Sequence, residues 1–429
     1  MISILYVALI LIFIKKSRFF NFDNIKKLEI YLALLIQFST GIILYIIYTK
    51  FYPVRYTSDI FKFYDDSLVL YNLFFENSAD FFKILIGFNK DKDSILSNHL
   101  LEMNHWDSSY NNSFMNETRL LIKTNAILNI IGLKSYVFNM ISFILIGFTG
   151  KLLIIKSVLK EFNLKNSKIL FWSIFLLPSL LIWTSGILKE PLIIFSIGLI
   201  TYFLSHKIKY GALNLFLLIL GSLIILKVKF YVFICFLPAL ISFLISKKFI
   251  IKPYYTVFSF IAVIIISIGV LSKFDSDINP IRVLSKKQHD FIRLADVFEA
   301  GSSFNLTPLE PNFYSFLKIL PEGILNGFLR PYPNNINKPL QFYPLLENLI
   351  LYSCLFYFLY KLFKLKIKIK FGFKNALWNC LFFVTMLFVI SGIGTPVLGA
   401  LVRYKVPGLL FLIISINLIY DQLYKSSIY

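Results

Sequence analysis

The sequence predicts an all-α polytopic membrane protein with about 11 transmembrane helices and two large extracytoplasmic loops carrying amphipathic helices. Three observations predict it. Hydrophobic residues make up 57% of the 429 residues, with a mean hydropathy of +0.72, above the roughly 45–50% apolar share of soluble domains. Long apolar runs recur along the chain with few charges inside them, which reads as repeated membrane crossing. The formal charge of +21 is concentrated in short Lys clusters between those runs, the signature of cytoplasmic loops. That clustering argues against a nucleic-acid partner, since no basic and aromatic constellation for base stacking lies outside the runs.

Taken in order, the crossings fall near 1–14, 28–49, 136–156, 169–186, 191–205, 211–226, 230–246, 253–272, 342–361, 375–393 and 404–421. The first run lacks a basic n-region and a small-residue cleavage site, and Lys15, Lys16 and Arg18 follow it, so it reads as a retained span. Alternate connections then carry Lys26 and Lys27; Lys156, Lys160, Lys165 and Lys168; Lys207 and Lys209; Lys247, Lys248 and Lys252; and Lys361, Lys364, Lys366, Lys368, Lys370 and Lys374. All belong on the cytoplasmic side, which puts the N-terminus outside and the C-terminus inside a plasma (inner) membrane. Lys227 and Lys229 run against this pattern, in the turn between two spans. Residues 1–429 read as a single integral membrane domain. Cys235, Cys354 and Cys380 all lie in apolar runs, so no disulfide framework or metal site is expected from them.

Two long segments remain on the outer side, 50–135 and 273–341. Both are too rich in aromatic residues for disordered linkers, and helical patterning runs over Ser78–Phe88, Glu117–Ile131 and Lys286–Phe298. They are expected to pack on the membrane and on each other. Within the first, Tyr56–Tyr71 reads as an interfacial helix with Ile60, Tyr64, Leu68, Tyr71 and Phe75 on its apolar stripe. At 100° per residue Asp66 comes within about 20° of Asp59, while Asp65 points elsewhere. A carboxylate at that interface can act as a base; a solvated polar face is the alternative.

Arginine is scarce, at seven against thirty-seven lysines, and Arg55, Arg119, Arg282, Arg293, Arg330 and Arg403 all map to the outer side. Their planar forks suit phosphate or carboxylate, so an anionic ligand stands beside neutralisation of the loop acids as an explanation. Trp183–Pro191 joins two spans tightly. Gly186 suits the end of one helix and Pro191 the first turn of the next. That turn, with Lys189 and Glu190, reads either as a phosphate seat or as a capped turn with a Lys–Glu pair. Gly394–Pro407 precedes the last span similarly and brings Arg403 and Lys405 to its outer end, where charges usually have a partner or a task. The Arg330-Pro-Tyr-Pro333 run fixes an extended backbone that holds Arg330 near the membrane surface.

These residues together resemble the GT-C glycosyltransferase superfamily, in the form found among membrane proteins of bacterial polysaccharide loci. An Asp in the first outer loop, many spans, Trp-x-Ser-Gly-x-x-Lys-Glu (Trp183, Ser185, Gly186, Lys189, Glu190), Arg330-Pro-Tyr, and Arg403-Tyr404-x-x-Pro407 carry the resemblance. It covers most of the chain in layout and about thirty residues in motif. It implies a catalytic base in the first loop, Asp59, with Asp66 as the other candidate because the adjacent acidic pair occurs at Asp65-Asp66. An additional N-terminal span departs from the family's layout. The resemblance also implies a polyprenyl-phosphate-linked sugar donor and a glycan or lipid acceptor, with membrane lipids around them.

No Gly-rich nucleotide loop is present, and a donor outside the cytoplasm should be lipid-linked. Asp59 or Asp66 would take a proton from an acceptor hydroxyl. Lys189, Arg330, Arg403 and Lys405 would hold the departing lipid phosphate. Asp65, Arg119 and Glu190 complete the expected substrate contacts. No cofactor is required by this chemistry, although Asp59, Asp65 and Asp66 offer ligands for the divalent cation that some members of the superfamily use. An O-antigen-type polysaccharide polymerase, and a transporter or flippase of lipid-linked sugars, are the alternatives; no internal inverted repeat supports the latter.

Overall fold

The computed structural model describes residues 2–51, 54–55, 58–87, 99–106, 116–206, 211–249, 252–271, 279–336, 341–367 and 371–426. Tyr56, Lys207, Lys209, Lys368 and Lys370, together with parts of both outer segments, lie outside them. Among the described residues there is no strand; helices account for nearly all regular structure. Among the described residues, seven helices are long and apolar enough to cross a membrane: Lys27–Phe51 (α2), Tyr136–Phe162 (α6), Gly211–Val228 (α10), Phe230–Phe249 (α11), Phe342–Lys364 (α15), and most of Phe371–Gly394 (α16) and Val406–Ser426 (α18). The protein is thus an α-helical multi-pass membrane protein. Several helices carry lysine in their last turn: Lys160 in α6, Lys247 and Lys248 in α11, Lys361 and Lys364 in α15. Cations there complement the negative end of the helix dipole as well as the charge rule.

The other apolar runs are shorter or interrupted. Ile2–Lys16 (α1) has 15 residues and Lys189–Ser205 (α9) has 17; Pro253–Leu271 forms α12. The run expected as one span over 169–186 is divided into Ser167–Phe175 (α7) and Pro178–Trp183 (α8). Pro178 lacks the N–H that a continuous helix needs, and its ring disfavours helical backbone at Leu177. The outer segments contribute Lys62–Glu76 (α3), Ser78–Ile86 (α4), Arg119–Gly132 (α5), Pro280–Val297 (α13) and Phe313–Leu329 (α14); Leu398–Tyr404 (α17) precedes the last helix. Local signals set their limits. Asn77 accepts the Asp80 N–H at the start of α4, and Gly87 closes it at φ 84°, in the left-handed region. Asn279 accepts from the N–H groups of Ile281 and Arg282, so α13 begins six residues before the expected Lys286.

The chain divides into two compact units, Met1–Glu161 with Leu181–Phe230, and Phe162–Leu180 with Tyr231–Tyr429. In the first, α3 packs on α5, and α9 on α10. In the second, α14 lies along α16, and α18 contacts α15 and α16. The first outer segment belongs to the first unit and the second outer segment to the second.

Candidate functional site

In the first unit the Asp59 turn is fixed by its apolar neighbours. Ile60 and Phe61, both almost fully buried, join Leu44 and Tyr48 of α2 and Leu188, with Tyr136, Ile182 and Trp183 packed around them. A Cβ on Gly186 would lie 3.5 Å from Ile60 Cγ2. The structure therefore brings two sequence motifs together: the Asp59 turn rests on the Trp183–Pro191 connection. That connection is itself anchored from inside the helices. Gln37 of α2 donates to the Thr184 carbonyl (3.0 Å) and hydroxyl (3.2 Å), and Lys151 of α6 donates to Gln37 Oε1 (3.3 Å). Such buried polar groups are stabilising only when partnered.

The three acids of the Asp59–Asp66 stretch do not converge. Asp59 lies in the turn before α3, not on it, and its Oδ1 pairs with Lys62 Nζ at 2.5 Å, with both side chains partly open to solvent. Asp65 takes a two-pronged contact from Arg55 (Nε to Oδ2 2.9 Å, Nη2 to Oδ1 2.8 Å). The Arg55 guanidinium also stands 4.0 Å over the Phe61 ring, and its hydrogen bond to Asp65 holds its pKa above the ordinary value. Asp66 is buried, and its carboxylate accepts the backbone N–H groups of Asn104 (3.2 Å) and His105 (2.7 Å). The expectation that Asp59 and Asp66 share one helix face is thus corrected: α3 begins at Lys62, and the two acids face different partners. Nor are the three acids gathered as a cation site, and among the described residues no group of three or more His, Cys, Asp or Glu side chains forms one.

The buried face of α3 is also not the expected stripe. Phe63, Tyr64, Asp66, Ser67, Leu70 and Leu73 are buried, whereas Phe75 is exposed. Burial raises the Tyr64 phenol above its usual pKa, and its hydroxyl donates to the Lys134 carbonyl. Ser67 accepts from Asn129 of α5 (2.9 Å), while Asn139 of α6 donates to Asn125 Oδ1 and Asn129 Oδ1 at 3.0 Å each. This asparagine ladder joins α5 to α3 and α6.

At the start of α9, Lys189 Nζ pairs with Glu117 Oε2 at 3.0 Å and lies 5.9 Å over the Phe63 ring. Glu190 is fully buried and pairs with Lys229 at 2.8 Å. The side chain expected among the substrate contacts is thus placed in the interior, against Lys229. Arg119 opens α5 beside a cavity of about 180 Å³, with its guanidinium 4.9 Å over the Trp106 ring.

The second unit gathers the remaining motifs. Arg330 lies 3.8 Å over the Phe304 ring and 4.9 Å over Tyr332, and its Nε donates to Asn326 Oδ1 at 2.7 Å. Partial burial lowers its pKa. Lys405 is buried and donates to the carbonyls of Gly327 (3.0 Å) and Arg330 (3.2 Å), capping the C-terminal end of α14. Its ammonium, expected beside a lipid phosphate, is thus engaged by backbone and closed to solvent. Arg403 is likewise buried, at the end of α17. The 302–304 strip is pinned to the turn after Gly394: Phe304 N–H donates to Pro396 O (2.8 Å) and Leu398 N–H to Ser302 O (3.0 Å).

Residues whose contacts the sequence reading did not foresee include Glu117, His105, Trp106, Lys123, Lys229 and Phe304. Lys227 and Lys229 had announced themselves by violating the charge rule; Phe304 lies 26 positions before Arg330 with no local pattern to join them. Fold and site define a class, the α-helical multi-pass membrane protein with ordered segments between its spans. Comparison with family models, curated proteins and solved structures gives no match for the chain.

Proposed function

We propose that the chain is a GT-C-type membrane glycosyltransferase, moving a sugar from a polyprenyl-phosphate-linked donor to a hydroxyl acceptor on the extracytoplasmic face. The reading takes the seven long helices together with α1, α9, α12 and the α7–α8 pair as eleven crossings of a plasma membrane, N-terminus outside and C-terminus inside. The observation that carries it is the meeting of the Asp59 turn with the Trp183–Pro191 connection, in which Ile60, next to Asp59, and Leu188, next to Lys189, share one packed cluster.

Asp59 is the proposed base. It takes the proton as the acceptor oxygen attacks the anomeric carbon and the bond to the lipid phosphate breaks. Lys189, on the connection that supports Asp59, stabilises charge developing on the departing phosphate. Asp66 leaves the set of bases, because its oxygens are occupied by two backbone N–H groups in a buried position. Arg330 is proposed in its own right as a contact for a lipid head group, presented on the Phe304 and Tyr332 rings. The test is mass analysis of the lipid-linked and surface glycans of a strain carrying Asp59→Asn. Loss of one defined sugar is expected. Loss of long chains with single repeat units retained would indicate polymerisation instead, and intact glycans would refute the assignment.

A further inference from the structure

The two lysines that break the charge pattern both have structural destinations. Lys229 neutralises the buried Glu190. Lys227, in the last turn of α10, lines the cavity at the first outer segment, together with Arg119, Lys123, Trp106, Asn116 and Gly87. Arg119 and Lys123 are four residues apart on α5, so they project from one face, and like charges so placed repel. The Trp106 ring takes Arg119 at 4.9 Å and Lys123 at 5.7 Å. Lys227 arrives from a different helix, through the contact of α10 with α5. Asn116, Arg119 and Leu120 place the N-terminal turn of α5 at the same wall, adding the positive end of a helix dipole. At Gly87 an added Cβ would lie 3.7 Å from Lys123 Nζ. Asp66 has a place in the same construction: it fixes the backbone of Asn104 and His105, and so the position of Trp106 next to them.

We infer that this cavity is a binding site for a phosphoryl group, with Arg119, Lys123 and Lys227 as its cationic ligands and Trp106 as the ring that two of them face. Three cations converging from two helices and a helix N-terminus on one hollow of about 180 Å³ fit a compact oxyanion. The site is independent of sugar transfer. The phosphoryl group can arrive on a lipid or free in solution, and the two sources are separable.

The full chain in nanodiscs is titrated with inorganic phosphate by calorimetry, and binding of dodecyl phosphate in the bilayer is followed by phosphorus NMR. Wild type is expected to bind at least one probe. Lys227→Gln and Lys123→Gln should each weaken that binding about tenfold, the loss of one charge-assisted contact. Lys83→Gln, an exposed partner of Asp80 on α4, should change it less than about twofold. Binding of inorganic phosphate assigns a soluble phosphoryl ligand; binding of dodecyl phosphate alone assigns a lipid head group. Failure of wild type to bind either probe, or unchanged binding when both lysines are replaced in protein with a wild-type elution profile and helical circular dichroism, overturns the inference. Asp59→Asn should bind both probes as wild type does, so the site stands or falls apart from the proposed transfer reaction.

Discussion

The described parts of segments 50–135 and 273–341 are held in opposite ways. In the first unit, polar side chains tie α3, α5 and α6 to their neighbours: Asp66 of α3 holds the backbone of Asn104 and His105, Ser67 of α3 accepts from Asn129 of α5, and Asn139 of α6 donates to Asn125 and Asn129 of α5. In the second unit, α14 is joined to α16 by the absence of side chains. A Cβ on Gly327 would collide with the Phe388 carbonyl, and one on Gly392 with the Gly323 carbonyl. Small residues permit this approach of backbones, a common device where helices pack in membranes. One region should therefore be broken by removing charge or hydrogen-bonding capacity, the other by adding a methyl group.

The sharpest contrast is expected at the buried ion pair. Glu190→Gln or Lys229→Met alone leaves a buried charge without its counter-charge and should cost about 3–5 kcal/mol, read as a lower thermal midpoint in detergent. The pair exchanged together for apolar residues should recover most of that loss. If the single variants unfold like wild type, the polar account of the first unit is broken.

Next in size is Gly327→Ala. The added methyl has backbone in its way, and overpacking should cost about 2–3 kcal/mol. Ser67→Ala, which deletes the hydroxyl's bond to the Tyr64 carbonyl and the one it accepts from Asn129, should cost only about 1–2 kcal/mol. A reversal of that order would show that α14 can slide on α16.

Asp66→Ala should cost about 2 kcal/mol through two lost charge-assisted hydrogen bonds, and limited proteolysis within 99–106 should accelerate with it. The smallest effect belongs to Arg55→Gln, which removes a contact whose partners are both partly solvent-exposed. Screening and side-chain entropy hold it below about 1 kcal/mol.

What the sequence revealed follows from how apolarity is distributed. The helices α2, α6, α10, α11 and α15 are uniformly apolar runs, and length alone marks them as candidate spans. The break between α7 and α8 was signalled by Pro178, inside a run otherwise apolar enough to mask it. The buried face of α3 was not legible, because aromatic and aliphatic residues surround its axis: Phe63, Tyr64, Leu68, Leu70, Tyr71, Leu73 and Phe74 leave no clear stripe. Only packing against α5 decides which of them turns inward, and it carries Asp66 inward too. The site was legible as motifs but not as contacts. Asp59 and Lys189 were found separately, and their common support, Ile60 on Leu188, depends on a long-range approach that no local spacing encodes. Lys405 was read as a ligand because charges in apolar surroundings suggest tasks, and Glu190 through the Trp183–Pro191 motif; the structure engages the first with the carbonyls at the end of α14 and the second with Lys229.

The most direct measurement compares Asp59→Asn with Asp66→Asn in one background, recording folded protein in the membrane and the surface and lipid-linked glycans together. The account predicts that Asp59→Asn accumulates to the wild-type level yet loses the transferred sugar. It predicts that Asp66→Asn accumulates less, with the sugar falling only in proportion to the protein. A fully active Asp59→Asn protein, or a fully folded Asp66→Asn protein that has lost the sugar, would contradict it.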